Sequence, residues 1–237
     1  AVAIMGRRDG ALPRSLAYDW AVNLLAIDTA TEACSVALWC DGKVHCQRVV
    51  EPRGHSARVL PMVEAVLDEA GIARSSLDVI ACDRGPGSFT GIRIGVGVAQ
   101  GIAMGLDRPV VGVSSLLALA ELCGKEAVLP AIDARMGQVY WALLCQDKAA
   151  PTGWTCRQPE QVSDPEAITV LASRAVGVGS GWDRYPDMLS RRTGDWIAQR
   201  FPDATAIASI AVREIAAVGI EKSGSAAPVY LRDRVTD

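Results

Sequence analysis

The sequence predicts an α/β protein of two lobes, each opening with a β-hairpin. Three observations carry this expectation. Apolar strands alternate with helical patterns from Asn23 to Cys123, the order that builds layered α/β domains. A hairpin pattern occurs twice at one fixed offset. A glycine-rich loop also joins a buried strand to an apolar helix between Gly85 and Gly105.

Periodicity begins at Asn23. Leu24 to Asp28 and Ala33 to Cys40 read as short buried strands, and Asp41-Gly42 is a type I′ hairpin signal leading into a third strand, Lys43 to Val50. Val59, Leu60, Val63, Val66, Leu67 and Ala70 fall at helical spacing, with Gly71 as the natural stop. Leu77 to Cys82 is a buried strand that runs into Gly85-Pro86-Gly87-Ser88-Phe89-Thr90-Gly91, and the spacing predicts a helix from Ile92 to Met104 closed by Gly105. Pro109 to Val113 is the next strand, and Ser114 caps a helix that runs to Cys123 and ends at Gly124. Past Asp147 the pattern weakens: Trp154 to Arg192 is rich in Pro, Gly and polar residues, and Pro202 to Gly219 reads as a last helix. The expected organisation is an extension over 1–22, a first lobe over 23–123 and a second lobe over 124–237, whose last helix is available to pack back on the first.

The repeat is specific in its spacing. Leu129, Ala131, Ile132 and Asp133 repeat Leu24, Ala26, Ile27 and Asp28, while Ala142, Leu143 and Cys145 repeat Ala37, Leu38 and Cys40, each at an offset of 105 residues. A period this long implies two related lobes rather than a solenoid.

Composition narrows the function classes. The chain has 237 residues, half of them hydrophobic, and a formal net charge of −3, so it supports a sizeable core but exerts no global pull on nucleic acid. Its seven cysteines form no Cys-x-x-Cys pair and several lie in apolar runs, which suits a reducing cytoplasm. His45 and His55 are the only histidines, so no histidine-rich metal site is expected. No apolar stretch reaches the ~18 residues of a membrane span. The residues through Val22 lack the apolar core of a signal peptide and read as a flexible extension or an upstream start.

Candidate chemistry is sparse. Asp28 and Asp133 end equivalent strands, where two carboxylates could hold Mg²⁺ and phosphates, or each could cap its own turn. Gly85 to Gly91 precedes a helix whose first N–H groups could receive an anion. It matches neither the Walker A loop nor the dinucleotide fingerprint, and simple turn geometry explains it equally well. Gly87 to Gly91 only loosely imitates a Gly-x-Ser-x-Gly elbow, so no catalytic residue is assigned. The helix after the loop carries two glycine rows, Gly91–Gly95–Ala99 and Gly97–Gly101–Gly105. Each interior glycine costs roughly 1 kcal/mol against alanine, and close backbone approach, by the chain's own sheet or by a partner helix, would offset that cost.

Several segments together resemble the TsaB (YeaZ) family: Leu24 to Leu38, His55-Ser56, Gly85 to Gly95, Val113 to Leu116, Ile132 to Tyr140 and Pro228 to Arg232. The resemblance implies the actin/Hsp70/sugar-kinase (ASKHA) fold, two lobes each with a βββαβα core. It implies a non-catalytic role in making N6-threonylcarbamoyladenosine at position 37 of tRNAs that read ANN codons. The expected partners are the transferase TsaD and the ATPase TsaE, with ATP and a metal bound in those subunits and none held independently by this chain. Contact with tRNA is expected only through the complex, and a homodimer is expected when TsaD is absent. By alignment, the metal-binding His-x-x-x-His pair of the catalytic paralogue falls at Ser115 and Leu119, neither of which replaces an imidazole. The adenosine-side glycine motif is represented only by Gly177-Val178-Gly179-Ser180-Gly181. The resemblance places the partner interface on the two helices, through Val59, Met62, Val63, Val66, Ile94, Val98, Gln100, Gly101 and Met104. A vestigial nucleotide cleft would involve Asp28, Thr29, Gly85, Gly87, Ser88 and Asp133. The competing readings are an ATP-dependent small-molecule kinase of the same fold and an M22-like glycoprotease.

Overall fold

A computed structural model describes residues 22–169 and 174–232. The first half runs β1 (Leu24–Asp28), β2 (Ala33–Cys40), β3 (Lys43–Val50), α1 (His55–Ala70), β4 (Val79–Asp83), α2 (Phe89–Leu106), β5 (Val110–Val113) and α3 (Ser115–Cys123). The second half runs β6 (Ala127–Arg135), β7 (Gln138–Gln146), β8 (Trp154–Ser163), β9 (Val176–Val178), α4 (Ser180–Arg184), α5 (Pro186–Leu189), β10 (Asp195–Ile197) and α6 (Ala204–Val218).

Both halves build the same sheet. The first has the order β3-β2-β1-β4-β5 and the second β8-β7-β6-β9-β10. In each, three antiparallel strands are followed by two parallel ones. The duplication expected from the hairpins therefore extends to the whole lobe.

Within the second hairpin the match slips. Ala26 pairs with Ala37 in the first, whereas Ala131 pairs with Trp141, not Ala142, in the second. The second hairpin closes through a two-residue turn, Met136-Gly137, with a bulge between Asp133 and Arg135. A one-residue slip exchanges the faces of a strand. Ala37 accordingly packs in the same cluster as Ala26, while Ala142 and Ala131 fall in different clusters. The β6 residues are structural equivalents of β1, but Ala142, Leu143 and Cys145 stand one step away from theirs.

The sheets are covered in layers. Helices α1 and α2 bury Val59, Val63, Ile92, Val96 and Ala99 on one face of the first sheet. On its other face lies α6, through Ile207, Ile210, Ala211 and Ile215, together with Ala118 of α3. Helix α3 also buries Leu116 and Leu119 on the second sheet, whose far face is closed by Trp182 and Leu189. Glu121 of α3 ties the halves: it accepts from Trp154 Nε1 at 2.6 Å, Ser209 Oγ at 3.1 Å and Arg213 at 2.9 Å.

Local signals act as expected at several ends. Asp41 and Gly42 both have positive φ, as a type I′ turn requires. Gly71 and Gly124 close α1 and α3 in the left-handed region. Ser114 Oγ accepts from the N–H groups of Leu116 and Leu117. Three expectations shift. Helix α2 begins three residues earlier and runs through Gly105, ending on Asp107 at φ 52°. Val22, expected in an extension over 1–22, is buried in the core; residues 1–21 lie outside the described residues. The polar stretch after Trp154 contains the ten-residue strand β8.

Candidate functional site

The strand–loop–helix from β4 to α2 forms the first part of the site. The Gly85–Gly91 loop lies directly on the β1–β2 connection. The Ser88 N–H donates to the Ala30 carbonyl at 2.7 Å, and Ser88 Oγ caps α2 by accepting from Gly91 N–H at 3.3 Å. A side chain on Gly87 would overlap the Ala30 carbonyl, one on Gly91 the Thr29 carbonyl, and a Cβ on Gly95 would stand 2.5 Å from Thr29 Oγ1. These glycines are required by the chain's own close packing.

The loop spends its donors internally. Thr29 N–H donates to Asp83 Oδ2 at 3.1 Å, Gly85 N–H to Asp83 Oδ1 at 3.1 Å and Ala30 N–H to Asp28 Oδ1 at 3.0 Å. Asp28, Thr29 and Asp83 are all fully buried. Burial, the neighbouring Asp83 charge and a hydrogen bond to Asp83 hold the Asp28 carboxyl well above the usual carboxylate range. Asp83 is also raised by burial, against the pull of the two N–H groups, Asp28 and Ser115. Both carboxyls are thus shifted toward the protonated form, Asp28 further than Asp83, and Asp28 Oδ2 is buried without a hydrogen-bond partner among the described residues. Asp83 was missed in the sequence because it resembled an ordinary strand end.

The expected cleft of Asp28, Thr29, Gly85, Gly87, Ser88 and Asp133 is therefore corrected. Asp28 and Thr29 belong to a sealed knot, and Gly85, Gly87 and Ser88 brace it. Asp133 belongs to another cluster, where its carboxylate accepts from Arg135 N–H at 2.9 Å and from the Arg135 guanidinium at 3.2 Å. Arg135 also reaches Glu32 of the first lobe at 3.1 Å, so an arginine supplies the positive charge between the strand ends. Among the described residues, no group of three His, Cys, Asp or Glu side chains is placed to hold a metal. Ser115 and Leu119 are fully buried. The Gly177–Gly181 motif is filled as well: a side chain on Gly177 would overlap the Trp182 indole, and Trp182 Nε1 donates to the Leu129 carbonyl at 2.9 Å.

The second part of the site is the outer face of α1 and α2. Gly91, Ile92, Gly95, Val96, Ala99 and Ala103 are the buried stripe of α2. The other row behaves differently: around Gly97, Gly101 and Gly105 none of the described residues lies within 4 Å of an added Cβ. Gln100 and Gly101 are exposed, Ile94 and Val98 half-buried, and Met104 is 85 % exposed. A groove of about 440 Å³ runs between the helices, lined by Leu60, Arg74, Val98, Gly101, Ile102 and Leu106. Helix α2 is long and apolar enough to cross a membrane by length and composition, contrary to expectation, with only 33 % of it buried.

Helix α1 requires a correction of phase. Val59, Val63 and Val66 are buried in the chain's own core, because the buried stripe of α1 runs through His55, Val59, Val63, Val66 and Leu67. They are not available to a partner. Met62 is half-buried, with Cys34 Sγ 3.9 Å from its sulfur. Leu60, which the partner-facing set left out, is half exposed and lines the groove.

Comparison with known proteins agrees with this architecture. The tRNA threonylcarbamoyladenosine biosynthesis protein TsaB of Escherichia coli (strain K12) is 42% identical over 227 residues, covering 90% of this chain and 96% of that protein. This chain belongs to the TsaB family. The Haemophilus influenzae TsaB is 41% identical over 234 residues, 91% of this chain and 95% of its own. The solved structure of YeaZ from Pseudomonas aeruginosa superposes with a TM-score of 0.79 at 42% identity, covering 89% of this chain and all of that one. A family model described as "TsaD: tRNA N6-adenosine threonylcarbamoyltransferase" matches residues 49–154. That match spans α1, α2 and the open glycine row, so the TsaB and TsaD families share this part of the fold, the two-lobed α/β fold of the actin-like class.

Proposed function

We propose that the chain is a non-catalytic subunit of the machinery that installs N6-threonylcarbamoyladenosine at position 37 of tRNAs reading ANN codons. In this reading the outer face of α1 and α2 docks on TsaD, the ATPase TsaE joins the pair, and those subunits hold the ATP and the metal. Contact with tRNA comes through the assembled complex. The same face makes a homodimer when TsaD is absent.

The observation that supports this reading is the open row Gly97–Gly101–Gly105. Interior glycines each cost a helix about 1 kcal/mol, and no neighbour among the described residues uses the space they leave. A row of small residues lets another backbone approach closely, and the exposed Leu60 and Met104 flank it with apolar surface of the kind that marks an interface. The sealed Asp28–Asp83 knot and the filled Gly177–Gly181 motif favour a supporting role over a kinase or a protease.

Reconstitution tests the reading: tRNA modification by TsaD and TsaE, with the threonylcarbamoyl-adenylate donor supplied, is measured with and without this chain. Modification should require the chain and fall with Gly101→Leu in step with TsaD binding. Full modification without the chain, or a folded Gly101→Leu variant that binds TsaD as tightly as wild type, would overturn it.

A further inference from the structure

A second cavity lies away from α1 and α2, where the two halves meet. It has a volume of about 430 Å³ and is lined by the ends of β4 and β5, by α3 and α6, by β7 and β8 and by the C-terminal segment. That volume suits a small molecule. Its position beside the carboxyl ends of parallel strands is where open α/β sheets form ligand crevices.

The lining combines opposite charges with apolar walls. Arg84 follows β4, Glu214 projects from α6 and Glu160 from β8, and all three line the cavity. Burial raises the Glu214 carboxyl pKa, and the Gly224 N–H and then the Arg84 charge pull against that rise, so Arg84 is near enough to be felt. Yet among the described residues Arg84 makes no ion pair. Glu214 is held in place by the Gly224 N–H, which donates to Oε1 at 3.1 Å. Leu117, Leu144 and Ile210 supply the apolar wall.

We propose that this cavity binds a free α-amino acid. Arg84 takes the α-carboxylate through its planar fork. Glu214 and Glu160 take the ammonium group. The side chain rests on Leu117, Leu144 and Ile210. Two opposite charges facing one cavity without pairing fit a ligand that carries both charges on adjacent atoms. An amine alone leaves Arg84 unused, and a carboxylate alone leaves the two glutamates unused.

Calorimetry on the full-length chain with L-leucine and L-threonine tests this. Saturable binding is expected, about 10-fold or more weaker in Arg84→Met and in Glu214→Gln. The same loss is expected for 4-methylpentanoate, which lacks the amine, and for isopentylamine, which lacks the carboxylate. Thermal melts confirm that each variant is folded, and Leu117→Trp, which fills the cavity, should abolish binding. The proposal fails if neither amino acid binds at about 10 mM, a weak-affinity limit, or if binding survives both charge substitutions. It also fails if isopentylamine or spermidine binds as well as leucine. TsaD binding by the same variants should be unchanged, which separates this test from that of the docking face.

Discussion

The Thr29 hydroxyl donates to the Gly91 carbonyl at 2.7 Å, end to end across the junction of β1 and α2. That bond is possible only because Gly91 and Gly95 carry no side chain: either Cβ would collide with Thr29. The two glycine rows of one helix therefore have opposite purposes. One brings α2 onto its own sheet, and the other leaves a strip of bare backbone facing outward.

Alanine substitution should separate the rows. Gly91→Ala and Gly95→Ala should destabilise the isolated chain, by about 3 kcal/mol where the obstacle is backbone that cannot yield. Gly97→Ala and Gly101→Ala should stabilise it by about 0.5–1 kcal/mol each, through helix propensity alone. The outward substitutions should at the same time weaken TsaD binding. Chemical denaturation gives the first quantity and calorimetric titration with TsaD the second. A stabilised Gly101→Ala chain with unchanged affinity would separate the row from the interface.

The Asp28–Asp83 pair predicts a pH dependence. Both carboxyl pKa values are raised in the folded chain, so the folded state binds more protons than the unfolded state above the ordinary carboxylate range. The stability this provides is complete below about pH 4 and is lost as pH rises toward the folded values. Asp28→Asn keeps the acceptor for Ala30 and donates to Asp83 without ionising. It should raise stability at neutral pH and flatten the pH profile of urea denaturation. Asp83→Asn should lower stability, because Thr29 and Gly85 lose a carboxylate acceptor, at a cost of about 1–3 kcal/mol.

Nucleotide binding by the isolated chain should be absent. The donors of Thr29, Ala30, Gly85, Ser88 and Gly91 are engaged within the knot, and Trp182 fills the glycine motif of the second lobe. Titration of ATP with Mg²⁺ should give no saturable heat at about 0.1 mM, far above the micromolar affinity of a working site. Micromolar binding would restore the kinase reading.

The sequence made some elements plain and hid others. The Asp41-Gly42 turn, the Gly71 and Gly124 stops and the Ser114 cap depend on contacts within a few residues, so local chemistry determines them. The β8 strand was invisible because its residues, many of them polar, lie at the edge of the second sheet, where one side needs no apolar partner. The division of the glycine rows was also hidden. Spacing identifies the rows, but which one meets Thr29 depends on the rotation of α2 about its axis. Helix α1 shows the same difficulty: its apolar spacing does not say that Val59 faces the core while its neighbour Leu60 faces outward. Asp83 gave no signal at all, since a buried acid is recognised only by the neighbour that shares its proton.

Ser35 accepts the N–H of Ala204 at 2.9 Å across 169 residues of chain. This contact has a consequence for synthesis. As the polypeptide leaves the ribosome, the first sheet can fold its own strands and gain α1 and α2, but its other face has only α3 against it until α6 emerges. For most of translation that face presents Leu24, Ala26, Val79, Ala81 and Val111 to the cell. The nascent chain is then a half-covered sheet that calls for a chaperone or for speed, and a ribosome stalled before Ala204 releases a product that cannot close.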